Sequence, residues 1–217
     1  MTNFNFHPEF SFYLENIAGQ FASIPDQRKE LLDQLGEYIR EKGQSGKTCN
    51  LVFICTHNSR RSHISEIFAH AASLAYGQKH VNVFSGGTEA TAFNPNAIAA
   101  LRETGLRIEA ESSGANPRYR VTTGESDPGI ICFSKTYEQV SDNLNDFAAI
   151  MTCSDADEAC PIIPGAEVRL PIRYEDPKQF DGTTEQDQAY ADTCRIIARQ
   201  MFYAFSKSGK KVGLQIK

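Results

Sequence analysis

The chain of 217 residues sets 22 Lys and Arg against 27 Asp and Glu, for a net charge of −5. A hydrophobic content of 41% and a charged content of 23% exclude a disordered chain and suit one α/β domain with appendages, or two small ones. The acidic balance argues against nucleic acid or an anionic membrane surface as partner, and no apolar run approaches the ~20 residues of a membrane span.

The first residues, Met1 to Phe12, are aromatic and polar but lack the basic and apolar regions of a secretory signal, so a reduced, cytoplasmic protein is expected. Six cysteines, at 49, 55, 132, 153, 160 and 194, are too sparse for a disulfide scaffold. No C-x-x-C pair exists, and the gap from Cys153 to Cys160 is wider than zinc spacing, so no metal site is expected.

Residues 8–42 read as two amphipathic helices: Phe10, Tyr13, Leu14, Ile17 and Phe21 recur at helical spacing, then Leu31, Leu32, Leu35, Tyr38 and Ile39. A Gly-Gln-Ser-Gly break at 43–46 divides this helical extension, residues 1–46, from the main domain, 47–217. The apolar run Asn50–Ile54 predicts a buried parallel strand, and an amphipathic helix built on Ile64, Ile67 and Phe68 follows the next loop.

Between that strand and that helix stands Cys55-Thr56-His57-Asn58-Ser59-Arg60-Arg61-Ser62, a C-x5-R-S sequence. A short strand-to-helix loop can turn successive backbone N–H groups toward one tetrahedral oxyanion, and the helix N-terminus adds the positive end of its dipole. The same groups would stabilise a thiolate at Cys55. Arg61 supplies a planar fork for two oxyanion oxygens. Ser62 can donate to the thiolate, and Asn58 can fix the loop through bonds to backbone. Thr56, His57, Asn58, Ser59, Arg60 and Ser62 are therefore the expected oxyanion-binding loop. His57 reads as a residue at the loop mouth and His63 as a solvated helix residue.

Further along, Val81–Ser85 predicts a second strand, and Asn94-Pro95 opens a helix to about Glu103 with Asn94 as its N-cap. This alternation points to a parallel α/β sheet. Residues 118–122 and 129–133 predict a β-hairpin. Phe147–Thr152 is another buried strand. It leads into a flexible acidic loop that carries Cys153 and Cys160, which suggests a relay by thiol–disulfide exchange. Asp176, extended before Pro177, is the candidate proton donor for a departing oxygen. A final helix from about Thr184 carries Tyr190, Cys194, Ile197, Met201 and Phe205 on one face.

Together, Cys-x5-Arg-Ser after a strand, Ser85-Gly86-Gly87, Asn94-Pro95-Asn96-Ala97-Ile98, Cys153-Ser-Asp-Ala-Asp with Cys160-Pro161, and Glu175-Asp176-Pro177 resemble the thioredoxin-coupled arsenate reductases built on the low-molecular-weight protein tyrosine phosphatase fold. The resemblance spans about residues 48–111 and 147–206. It implies a three-layer α/β sandwich with a central parallel sheet flanked by helices, to which this chain adds an N-terminal helical hairpin and a β-hairpin insertion at about 112–140. It further implies that Cys55 attacks arsenate, Arg61 clamps it and Asp176 protonates the leaving hydroxyl. Cys153 would then attack Cys55, Cys160 would attack Cys153, and thioredoxin would reduce the final disulfide. The resemblance also implies a monovalent cation, potassium, at Asn58, Glu66 and Ser85. The alternative function is hydrolysis of phosphate monoesters through a Cys55 phospho-enzyme. A non-enzymatic oxyanion sensor is a third reading, against which the intact Cys, Arg and Asp set argues. Two residues depart from the pattern. His57 stands where the family usually has Gly, and Lys178 stands where the tyrosine phosphatases usually carry an aromatic after Asp-Pro.

Overall fold

A computed structural model describes residues 4–160 and 162–209; residues 1–3 and Pro161, quoted above beside Cys160, lie outside it. Helices α1 (Pro8–Ala18) and α2 (Asp26–Gln44) precede β1 (Cys49–Cys55), α3 (Arg61–Ala75), β2 (Val81–Gly87) and α4 (Pro95–Glu103). Strands β3 (Arg107–Ala110), β4 (Tyr119–Thr122) and β5 (Ile130–Cys132) follow, then α5 (Tyr137–Ser141), β6 (Phe147–Met151), α6 (Ser154–Ala159), β7 (Ala166–Leu170) and α7 (Gln186–Ser206). Among the described residues no helix is long and apolar enough to cross a membrane.

Four strands form a parallel sheet in the order β2-β1-β6-β7. Side chains alternate across a strand, so β1, buried from end to end, feeds two cores. Leu51 and Phe53 join Ile64, Ile67 and Phe68 of α3 and Ile197, Met201 and Phe205 of α7. Val52 and Ile54 join Val140 of α5, Ala156 of α6 and Ile163 on the other face. The result is the expected three-layer α/β arrangement. Helices α1 and α2 lie outside this sandwich and pack on α7, with Phe10, Leu14, Leu32 and Ile39 continuing the larger core. Gly36 lets α2 approach closely: a Cβ there would stand 2.6 Å from the carbonyl oxygen of Ala204.

Strands β4 and β5 form the expected hairpin, and β3 pairs antiparallel with β4 to complete a separate three-stranded sheet. Asn94 caps α4 as expected, its Oδ1 accepting from the backbone N–H of Asn96 and Ala97. Neither β3 nor β7 was anticipated. Both are short and carry polar residues, and only Ile108 of β3 and Leu170 of β7 are fully buried.

Two expectations are corrected. Residues 153–160 are not a flexible loop: Ser154–Ala159 is helical, with Cys153 at its N-cap and Cys160 at its C-cap. The carboxylate of Asp157 explains why, since it is buried against Arg169 and Arg173 and fastens α6 to β7 and its sequel. His63 is not solvated. It is wholly buried and stacks on Phe93 at 4.2 Å between ring centres, and burial pushes its imidazole down to about 3.

Candidate active site

The strand order reverses between β1 and β6, because β2 lies beyond one and β7 beyond the other. Ligands of open parallel sheets bind outside the carboxyl ends of strands at such a switch. Strand β1 ends on Cys55, and β6 runs through Thr152 into Cys153. The hydroxyl and the backbone N–H of Thr152 both donate to the carbonyl of Ile54, at 2.8 and 2.7 Å. The two cysteines therefore share one edge of the sheet, as expected.

The loop from Cys55 to Ser62 is held by its carbonyls. Cys55 O accepts from Thr88 N (3.1 Å), Thr56 O from Glu89 N (2.9 Å), and Ser59 O from Asn94 N (2.9 Å). His57 O accepts from the hydroxyls of Ser134 (2.9 Å) and Thr91 (3.1 Å). By contrast, none of the backbone N–H groups from Thr56 to Arg60 donates to a partner among the described residues. Buried or half-buried N–H groups without partners are costly, so this run of them between a strand and a helix N-terminus is a candidate site for an anion. Gly87 permits the close packing around this loop: a Cβ there would lie 2.6 Å from both Thr56 O and Asn58 N.

Asn58 is buried and left-handed, with φ of 44°, a conformation that Asn tolerates better than most residues. Its Nδ2 donates to Ser62 Oγ at 2.9 Å, which turns the serine's own proton toward Cys55 Sγ, 3.1 Å away. Its Oδ1 accepts from the backbone N–H of Lys135 at 2.9 Å. His57 has no such backbone demand, so its Cβ does not strain the loop. Its imidazole meets Glu89 at 3.0 Å at the mouth, both groups being exposed.

Arg61 donates to the carbonyl of Tyr174 (3.0 Å) and to Asp176 Oδ2 (2.7 Å). Asp176 caps the 3-10 turn Pro177–Phe180, its Oδ1 accepting from Lys178 N at 3.1 Å. The segment that follows β7 is tied there to the end of β6, since Tyr174 N donates to Thr152 O at 3.0 Å. Arg28 of α2 lies over the Tyr174 ring, 4.8 Å from its centre. Arg60 is engaged elsewhere, donating to the hydroxyl of Tyr190 at 3.0 Å.

Cys153 is fully buried, and its sulfur lies 3.5 Å from Thr56 Oγ1 while accepting from Ala156 N at 3.4 Å. Cys160, half-buried, sits at the far end of α6, seven helical steps or roughly 10 Å away. Cys55 and Cys153 are thus brought together and Cys160 is not. The other thiols are unsuited to chemistry: burial pushes Cys49 and Cys194 up to about 12 and Cys132 well above its ordinary range. The residues expected to hold potassium are hydrogen-bonded within the protein. Asn58 Oδ1 is taken by Lys135 N, Ser85 Oγ donates to Glu66 at 2.5 Å, and burial pushes Glu66 toward its neutral form.

Sequence reasoning missed Ser134, Lys135, Arg28, Asp181 and Tyr190. Ser134 and Lys135 reach the loop from a segment read as an insertion, and Tyr190 looked like one more apolar position of α7. Only the three-dimensional fold brings these residues to the site.

Among known proteins, the low molecular weight phosphotyrosine protein phosphatase family matches residues 50–150 of this chain. Over 161 residues the chain is 30% identical to the arsenate reductase of Bacillus subtilis, a match that covers 74% of this chain and 96% of that protein. It belongs to the arsenate reductase family on the low-molecular-weight phosphatase fold. The arsenate reductase of Bacillus licheniformis is 29% identical over 164 residues, with the same coverage. The fold agrees with a crystal structure of a YwlE mutant from Bacillus subtilis, at a TM-score of 0.51 and 15% identity, covering 73% of this chain and 97% of that one. As a member of this family the chain is an enzyme whose family chemistry is arsenate reduction or phosphate-ester hydrolysis.

Proposed function

We propose that this enzyme reduces arsenate to arsenite through a covalent adduct on Cys55. The observation that carries the reading is the placement of Cys153 Sγ against Thr56, the residue after the nucleophile. A second thiol there has no part in phosphate hydrolysis. Arsenate takes up the free loop amides, and Arg61 takes two of its oxygens. The Cys55 thiolate displaces hydroxide, which leaves as water with a proton from Asp176. The Cys153 thiolate then attacks Cys55 Sγ. The sulfur–arsenic bond breaks, its electron pair stays on arsenic, and arsenite departs while Cys55 and Cys153 become a disulfide. Cys160 attacks Cys153 next and frees Cys55. A dithiol reductant of the thioredoxin class closes the cycle on the Cys153–Cys160 disulfide.

The phosphatase reading keeps one specific support, since the phosphatase family matches residues 50–150 and stops short of both relay cysteines. Arsenate turnover with thioredoxin, run beside aryl-phosphate hydrolysis, separates the two. Brisk aryl-phosphate hydrolysis with no response to arsenate would replace the reductase reading with the phosphatase one.

A further inference from the structure

Arg60 precedes the clamp residue Arg61, and its guanidinium is almost buried. Its Nε donates to Tyr190 Oη at 3.0 Å, and that hydroxyl donates to Asp181 Oδ1 at 2.8 Å. Its two terminal nitrogens lie 3.8 Å from Asp176 Oδ1 and 3.8 Å from Asp181 Oδ2. Asp176 is the N-cap and Asp181 the C-cap of the turn Pro177–Phe180. One guanidinium therefore reaches both ends of the turn that carries the acid. The anchor behind it is firm, because Tyr190 is 1% exposed within α7 and Asn96 Nδ2 also reaches Asp181 Oδ1, at 3.4 Å.

We propose that the Arg60 side chain is a positioning group that holds the Asp176 turn over the oxyanion loop, and that its guanidinium does not ligate the oxyanion. The inference rests on the proposed function, in which Asp176 gives up a proton. In the structure Asp176 is held chiefly by Arg61, at 2.7 Å. An oxyanion seated on the Arg61 fork competes for that guanidinium. When it wins, the acid loses its nearest partner at the moment it must be in place. The Arg60–Tyr190–Asp181 chain does not depend on Arg61 and keeps the turn where it was. At 3.8 Å the Arg60 guanidinium stands within ion-pair distance of Asp176 Oδ1 without a direct hydrogen bond to it.

The test uses Arg60→Met, Tyr190→Phe and Asp176→Asn in the full chain, with arsenate plus thioredoxin and a series of aryl phosphates. Poor leaving groups depend most on an acid. Arg60→Met is expected to lower kcat/KM for phenyl phosphate and for arsenate on the order of tenfold, to spare dinitrophenyl phosphate, and to leave competitive inhibition by inorganic phosphate unchanged. Tyr190→Phe, which deletes one oxygen only, should give the same pattern more weakly and stands in should Arg60→Met not fold. In the Asp176→Asn background, Arg60→Met should add no further loss. A loss shared equally by all leaving groups, weaker inhibition by phosphate, or an additive loss in that background overturns the proposal in favour of direct oxyanion binding. Wild-type turnover with an unchanged leaving-group dependence in both single variants removes the Arg60 role alone. A wild type that turns over neither substrate class removes the proposed function, and the acid that Arg60 would position goes with it.

Discussion

Ser62 is the residue on which the proposed nucleophile, Cys55, turns. Its hydroxyl accepts from Asn58 and donates to Cys55, so it converts a buried side-chain amide into a hydrogen bond aimed at sulfur. A hydrogen bond to a charged group contributes roughly 1.5–3 kcal/mol. Ser62→Ala should therefore slow alkylation of Cys55 at slightly acidic pH, read by mass spectrometry, with the fold intact. Wild-type alkylation in that variant would mean that the loop amides alone stabilise the thiolate. Asp176→Asn should depress both arsenate turnover and hydrolysis of poor aryl-phosphate leaving groups by about a hundredfold or more, the usual contribution of a positioned acid. An unchanged rate would take Asp176 out of the chemistry. At this scale the sequence is most readable where the contacts are local. Cys55, Asn58, Arg61 and Ser62 lie within eight residues, so spacing alone brings them together. His63 was misread because its neighbour Phe93 arrives from the loop before α4, and nothing near position 63 signals that the ring will be covered.

Among the elements, α6 decides how the relay can work. A disulfide needs Cα atoms about 4.4–6.8 Å apart, and a helix with Cys153 and Cys160 at its two ends holds them near 10 Å. The proposed relay therefore requires α6 to unwind, and the contacts that hold the helix resist that step. The Asp157 carboxylate pairs with Arg169 and Arg173, and Arg169 Nε also donates to Cys160 O at 3.2 Å. Asp157→Asn should loosen this hold by about 1–3 kcal/mol and speed the appearance of the Cys153–Cys160 disulfide in rapid-quench mass spectrometry after one arsenate turnover. If that rate is unchanged, unwinding of α6 is not the slow step. Cys153→Ser should stall at the arsenylated Cys55, and Cys160→Ser one exchange later at a Cys55–Cys153 disulfide. Full arsenate turnover by Cys153→Ser would disprove the relay. The strands β1 and β6 were legible as unbroken apolar runs. Helix α6 was not, because six residues rich in Asp and Glu carry no apolar period and gain their stability from arginines on and after β7.

For the molecule as a whole, the inert thiols set a limit at high pH. Cys49 and Cys194 are pushed up to about 12 and Cys132 also rises, with burial the main cause for each. The unfolded chain releases these protons as the pH passes about 8.5, while the folded chain keeps them. Stability conferred by these groups is thus complete below that pH and falls as the pH climbs toward 12, by up to roughly 1.4 kcal/mol per thiol for each pH unit. Urea midpoints at pH 8 and pH 10.5 should show the decline, and Cys194→Ala should lessen it; a flat midpoint would contradict the burial of these thiols. The sequence also left the N-terminal helices and the 112–140 segment as additions with no stated task, because their contacts with the site span scores of residues. In the folded chain Arg28 lies over Tyr174, and Ser134 and Lys135 donate to His57 O and Asn58 Oδ1. That last pair of bonds bears on how such a protein can change over evolutionary time. A descendant that lost the 112–140 segment would leave His57 O to Thr91 alone and strand the buried Asn58 Oδ1 beside Cys55, so the segment can be traded only for another donor and never simply discarded.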